Sequence, residues 1–203
     1  DPGVPWLGSK GASVHARSLA KALSRRVDKL TVVTARVQPR RGAAVRSECP
    51  YDILEAGVPA ASAAPELDAF AINDRMTGLL DDLHANGDAD AIYERHSLSG
   101  VAGAEAARRF GIPRLVEVNA PLVEEATRHR GLALRSLSAF VERRLLNEAD
   151  RLVVVSSELA AHVRGLGVEP DRIALLPNGF DAGLFPEEIA SLPAVDDPTS
   201  PFL

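Results

Sequence analysis

The feature that most restricts the fold is the stretch at residues 90–120, DAIYERHSLSGVAGAEAARRFGIPRLVEVNA. A short apolar run at 91–94 ends in charge. A small-residue helical stretch follows at 101–110, then Gly-Ile-Pro, then a second apolar run at 115–118 that ends at Asn119. Two parallel strands need a crossover of a dozen or more residues, usually a helix, and this is that pattern. In parallel α/β sheets ligands bind beyond the carboxyl ends of the strands. Those ends carry Glu94-Arg95-His96 and Glu117-Val118-Asn119, both polar, and are expected to form half of a site.

The remainder of the chain repeats the alternation. A glycine loop, Gly8-Ser9-Lys10-Gly11, leads into a helix at 12–26, and LTVVT at 30–34 reads as a β-branched strand. A second short strand is expected at 51–55, a helix at 66–86, and a helix at 133–149 with Leu134, Leu137, Phe140, Val141, Leu145 and Leu146 inward. RLVVV at 151–155 reads as a buried central strand, Ser156-Ser157 as the cap of a helix to about 166, and 173–176 as the last strand. Residues 121–132 read as polar and less regular. The expected class is therefore α/β, a parallel sheet flanked by helices. Residues 1–186 are expected to form one domain, with 187–203 a tail or linker. The Asp-Pro-Gly-Val-Pro opening and the Pro- and Asp-rich end suggest a piece of something longer.

With 203 residues, a net charge of -5 and pI of about 5.6, the chain has room for one sizeable core and speaks against a phosphate-dominated nucleic-acid binder. The lone Cys49 excludes an intrachain disulfide, has no metal-ligand spacing around it, and fits a reducing cytosol. No run approaches the length of a membrane span. Arg36, Arg40, Arg41 and Arg46 sit in a polar stretch that reads as a solvated loop, with attraction to an anionic lipid or phosphate as the sharper alternative.

Several residues carry candidate chemistry. Gly8 and Gly11 flank a helix start, where exposed N–H groups and the helix dipole suit a phosphate. The spacing is neither of the usual nucleotide-binding glycine patterns, and a plain turn stands beside that reading. His15 on the following helix reads as an exposed face. Arg95 can hold a carboxylate or phosphate in bidentate fashion, and His96 can move a proton near neutral pH, against a loop salt bridge. Glu117 and Asn119 share one side of their strand and need partners, either a ligand or a neighbouring loop. Glu125, with Glu124, either lines the same mouth or begins a solvated helix. No His/Glu/Cys cluster has metal spacing, so no metal is expected. Residue chemistry alone ends at a parallel α/β domain with a polar ligand site.

The order of motifs says more. DPGVPW with the glycine loop to Gly11, DAIYER at 90–95, Gly-Ile-Pro at 111–113, EVNAP at 117–121, ADRLVVVS at 149–156 and PNGFD at 177–181 run in sequence along the chain. In that order they resemble the N-terminal domain of GT-B-fold retaining glycosyltransferases of family 4. The resemblance implies a Rossmann-like N-terminal half of a GT-B fold and transfer of a hexosyl group from a nucleotide-sugar donor, a co-substrate with no further cofactor, to a saccharide, lipid or small-molecule acceptor. It implies that Gly8 and Gly11 touch donor phosphates, and that Arg95, His96, Glu117 and Glu125 shape the acceptor side or the site scaffold. It also implies a donor-binding C-terminal domain that this stretch of sequence does not contain. The abundance of Ala and Arg over Lys suggests a GC-rich bacterial gene, and the cysteine usage a cytoplasmic protein, peripheral to the membrane if its acceptor is a lipid. Many members carry a histidine at the end of the strand corresponding to 115–118. Here Asn119 stands there; it can donate a hydrogen bond to a sugar hydroxyl but cannot act as acid or base. That is compatible with a front-face mechanism in which the leaving phosphate takes the acceptor proton. The competing expectations are a non-catalytic α/β binding or scaffold domain and half of a GT-B sugar-nucleotide epimerase.

Overall fold

The strand Arg114–Val118 (β4) is the axis of the molecule: four of its five residues are buried, and it is paired on both sides. The computed structural model describes residues 4–38, 49–58, 65–87 and 89–179. Ile92–Arg95 (β3) pairs with β4 in parallel, with Arg95 opposite Glu117. On its other side β4 pairs with Arg151–Val154 (β5), and β5 with Ile173–Leu175 (β6), again in parallel. Thr31–Thr34 (β1) and Asp52–Glu55 (β2) form a separate parallel pair. The parallel α/β class is thus as expected, while the described strands divide into a two-stranded and a four-stranded sheet.

The helices are Gly11–Leu23 (α1), Pro65–Ala85 (α2), Ala102–Phe110 (α3), Leu122–His129 (α4), Arg135–Asn147 (α5) and Ser157–Gly165 (α6). α3 is built for close approach: Ala102, Gly103, Ala104, Ala106 and Ala107 are all buried. It stops at Gly111, whose φ of 67° lies in the left-handed region that suits a helix C-terminus, and the Ile112 amide returns to the Ala107 carbonyl. α6 starts as expected, with the Ser156 hydroxyl accepting from the Leu159 amide at 3.3 Å.

Two expectations fail. Residues 122–129 are a helix rather than irregular, with Val123 and Ala126 buried and Glu124 and Glu125 in the first turn, where acidic side chains suit the dipole. In α5, Leu145 and Leu146 are buried as expected, but Leu137 is 43% and Phe140 64% exposed, and Leu134 is exposed too. The inward stripe is Ser138, Glu142, Leu145 and Leu146. A polar pair occupies the first half of that stripe because Glu142 has buried partners, so apolarity points to the wrong side there.

The main core lies on one face of the four-stranded sheet. Val116, Val118, Leu152 and Val154 pack with Leu146, Leu159, Ala160, Val163 and Val168. Burial of an apolar side chain of this size is worth about 1.5–3 kcal/mol. Residues that alternate with these along β3 and β4, namely Tyr93, Arg95 and Glu117, turn to the opposite face, beneath α1. Among the described residues no helix is long and apolar enough to cross a membrane. The expected domain limit at residue 186, the tail, and most of the 36–50 basic stretch lie outside the described residues.

Candidate functional site

Glu117 is buried, 1% exposed, at the carboxyl end of β4. A lone carboxylate there would be costly. It is instead surrounded by donors from three elements. The Tyr93 hydroxyl of β3 donates to Oε2 at 2.8 Å, and the Asn119 amide nitrogen donates to Oε1 at 2.6 Å. His15 Nε2 of α1 lies 2.6 Å from the same Oε1. Burial alone pushes the Glu117 carboxyl up, but the hydrogen bonds of Asn119 and Tyr93, with the charge and hydrogen bond of His15, outweigh it and hold the group below its ordinary range. The Tyr93 hydroxyl moves the other way: burial, then the Glu117 contact and charge, push it above its usual value.

His15 is therefore the residue sequence reasoning misplaced. Its side chain is 28% exposed, but its ring is engaged across 102 positions of chain with Glu117. The only local signal was its place one turn into a helix that follows a glycine loop. Arg95 joins the same face, reaching the Ala12 carbonyl of α1 at a long 3.5 Å. So β3, β4 and α1 bring Tyr93, Arg95, Glu117, Asn119 and His15 together.

The other candidates divide. His96 lies on the opposite face, 8% exposed, with Nε2 3.3 Å from Glu142 of α5. Glu142 also accepts the Val123 amide of α4 at 3.4 Å. His96 thus braces helices inside the fold and does not join the Glu117 cluster. Glu94 turns to that side as well and pairs with the 1%-exposed Arg114 at 2.8 Å. Gly103 is what lets it fit, since a Cβ there would come within 2.4 Å of Glu94 Oε2. Glu125 is half-buried on α4, its amide bonded to the Pro121 carbonyl.

The two glycines of the loop also differ. Gly8 is buried, and a Cβ on it would meet Ser13 Oγ at 2.8 Å and Pro5 at 3.0 Å. Arg17 clamps the loop through the Trp6 and Gly8 carbonyls. Gly8 shapes the turn from inside. Gly11 is exposed, opens α1, and has nothing within 4 Å of its Cβ position. α1 has no side-chain cap and no acidic residue in its first turn; its Ser13 amide turns back to the Lys10 carbonyl at 2.9 Å, and the positive end of the helix dipole there suits an anion. Among the described residues no group of three His, Cys, Asp or Glu side chains is arranged to hold a metal ion.

Comparison with known proteins fits this geometry. Residues 10–179 match the family described as Glycosyl transferase 4-like domain. A D-inositol 3-phosphate glycosyltransferase of Thermomonospora curvata is 31% identical over 91% of the chain, which spans 44% of that relative. Among solved structures, the sucrose-phosphate synthase of Thermosynechococcus elongatus superposes with a TM-score of 0.67 at 19% identity, over 87% of this chain and 44% of that one. HepE of Anabaena, solved in complex with UDP, gives 0.57 at 16%, over 89% and 44%. The chain spans less than half the length of the proteins it matches.

Proposed function

Because the chain belongs to the glycosyl transferase 4-like domain family, with a parallel α/β fold that is half of a GT-B architecture, we propose that it forms the acceptor side of a retaining glycosyltransferase. A partner half, corresponding to the part of its relatives' length that this chain does not span, would bind the nucleotide of a nucleotide-sugar donor. The observation that supports this most directly is the Glu117 cluster, set at the carboxyl ends of β3 and β4 where ligands of such sheets bind.

The roles follow from the chemistry of each group. The first N–H groups of α1 at Gly11 face the donor diphosphate, with Gly8 holding the loop in shape. Asn119 stands beside the reacting sugar, and Glu117 fixes it. Arg95 and Glu125 border the acceptor. The bond from the anomeric carbon to the diphosphate breaks, the acceptor oxygen takes its place, and the leaving phosphate takes the acceptor proton. No protein acid–base residue is needed in that scheme. The test is a screen of the full-length polypeptide for donor hydrolysis and transfer across nucleotide sugars, beside the 203-residue chain. Transfer by the longer protein and none by the shorter is the expected result. Transfer by the 203-residue chain alone, or none by the longer protein with any nucleotide sugar, overturns it.

A further inference from the structure

The outward side of α5 carries apolar residues that the core does not take. Leu134, Leu137 and Phe140 follow one another at three-residue steps, so they form one stripe, and all three are exposed. Exposed apolar residues scattered singly are normal on a protein surface, whereas a stripe of them is a patch. The helix cannot roll them inward, because Glu142 on its inner side is held by His96 and by the Val123 amide. Those two contacts come from the carboxyl end of β3 and the start of α4, and the stripe precedes Glu142 on α5. The patch therefore lies on the carboxyl side of the sheet.

The charge around the stripe has one sign. Residues 126–141 contain Arg128, Arg130 and Arg135 and no Asp or Glu, in a chain whose net charge is -5. All three arginines are exposed. The acids that border this run face elsewhere: Glu142 is buried, Glu125 is half-buried, and Glu124 lies 3.5 Å from His162 of α6. One turn beyond Phe140, Arg144 pairs with Glu148 at 2.6 Å, and the patch ends there. We propose that this patch docks the protein on an anionic membrane surface. Leu134, Leu137 and Phe140 enter the apolar boundary, and Arg128, Arg130 and Arg135 lie at the lipid phosphates. Apolar side chains flanked by basic ones are the pattern of a helix lying in a membrane interface, and the negative surface potential of anionic lipid attracts the arginines. The planar guanidinium also matches a phosphate in bidentate fashion. A second copy of the chain fits this face less well, since a two-fold contact would bring each set of arginines toward its own copy. The inference goes beyond the glycosyl-transfer reading and does not depend on it.

The test is flotation of the 203-residue chain with vesicles of phosphatidylcholine alone or mixed with phosphatidylglycerol. The chain should float with the mixed vesicles and not with the neutral ones, and less as salt rises. Arg130→Gln and Arg135→Gln should each weaken binding about 5-fold. Leu137→Ser combined with Phe140→Ser should weaken it at least about 10-fold. Both positions are exposed, so the urea midpoint of that variant should stay near wild type. In Phe140→Trp the added indole emission should move to the blue with mixed vesicles, against a buried Trp6 that does not respond. Arg40→Gln with Arg41→Gln, in the basic 36–46 stretch, should bind as wild type does. No flotation with mixed vesicles, flotation that survives the Leu137 and Phe140 changes, or loss in the Arg40 and Arg41 variant instead overturns the proposal. Two other occupants give their own signatures, and each overturns it as well. A dimer in sedimentation that Phe140→Ser dissociates assigns the face to a second copy. Flotation by the 203-residue chain but not by the full-length polypeptide assigns it to the remainder of the longer protein.

Discussion

The two faces of β3 and β4 hold nearly the same ingredients and use them differently. Each has a buried or half-buried carboxylate and a histidine within hydrogen-bond reach of one. On the core face, Glu94 meets Arg114, and His96 meets Glu142. Arg114, His96 and Glu142 are almost fully enclosed and Glu94 is partly so, and each pair lies between structural elements: the end of β3 with β4, and the end of β3 with α5. On the face under α1, one carboxylate takes three donors, of which His15 and Asn119 stay partly open. A carboxylate paired inside the fold braces it. A carboxylate that aligns two half-open side chains leaves them something to offer a ligand. The difference lies in where the donors come from and what remains accessible, not in residue type.

The largest effect should come from breaking the core face. Arg114→Leu leaves the Glu94 carboxylate buried without its cation and removes the bond to the Leu145 carbonyl. Loss of one partner of a buried ion pair costs about 3–5 kcal/mol, and Glu94 at 18% side-chain exposure places the cost toward the lower end of that range. Urea denaturation of the 203-residue chain should show it as a much lower midpoint. A change under about 1 kcal/mol, the size of a surface pair, would mean that the pair is no brace.

On the other face the effect should fall on turnover rather than stability. Asn119→Ala removes one neutral contact to Glu117 from a partly exposed position. Its stability cost should stay near 1 kcal/mol, while transfer by the full-length polypeptide drops about 10- to 100-fold. Near-normal transfer by a well-folded variant would remove Asn119 from the site. A sharper contrast comes from the two histidines. His96→Asn should cost about 1–3 kcal/mol and leave transfer per folded molecule unchanged, because His96 faces Glu142 inside the fold. If transfer falls with the fold intact, the two faces are not separable.

Much of the fold was legible in the sequence, because the alternation of strand and helix periods and the punctuation at Gly111 and Ser156 are local signals. The four-stranded order rests on parallel crossovers the sequence announces. Where the reading failed, a long-range partner had overridden the local pattern. Leu137 and Phe140 look like core on a helix whose inward stripe carries Glu142, and its partners His96 and the Val123 amide, 46 and 19 residues away, explain that. The candidate site was half legible. Glu117 and Asn119 stand out as polar residues closing an apolar strand, and alternation puts them on one side. His15 could not be assigned to them, because its partner lies 102 residues on and nothing near it in sequence requires a carboxylate. His96 drew attention by following a strand directly, yet side-chain alternation sends it to the opposite face from Arg95 and Glu117.

The smallest effect, and the one that bears most closely on the comparison, is the pH dependence of stability. Folding holds the Glu117 carboxyl below its ordinary value of 4.5. A group whose folded value is depressed stabilises the native state fully above its unfolded value, and that contribution is lost as pH falls through the lower folded value. Stability of the wild-type chain should therefore be level on this account from neutral pH down to about 4.5 and decline below it. Glu117→Gln has no carboxyl to protonate there. Its urea midpoint should begin lower than wild type at neutral pH and converge toward it as acid removes the advantage of the wild-type carboxylate. Parallel curves for the two proteins down through the acid range would mean that Glu117 draws no net stabilisation from its three donors, and that they cluster around it without holding it ionised.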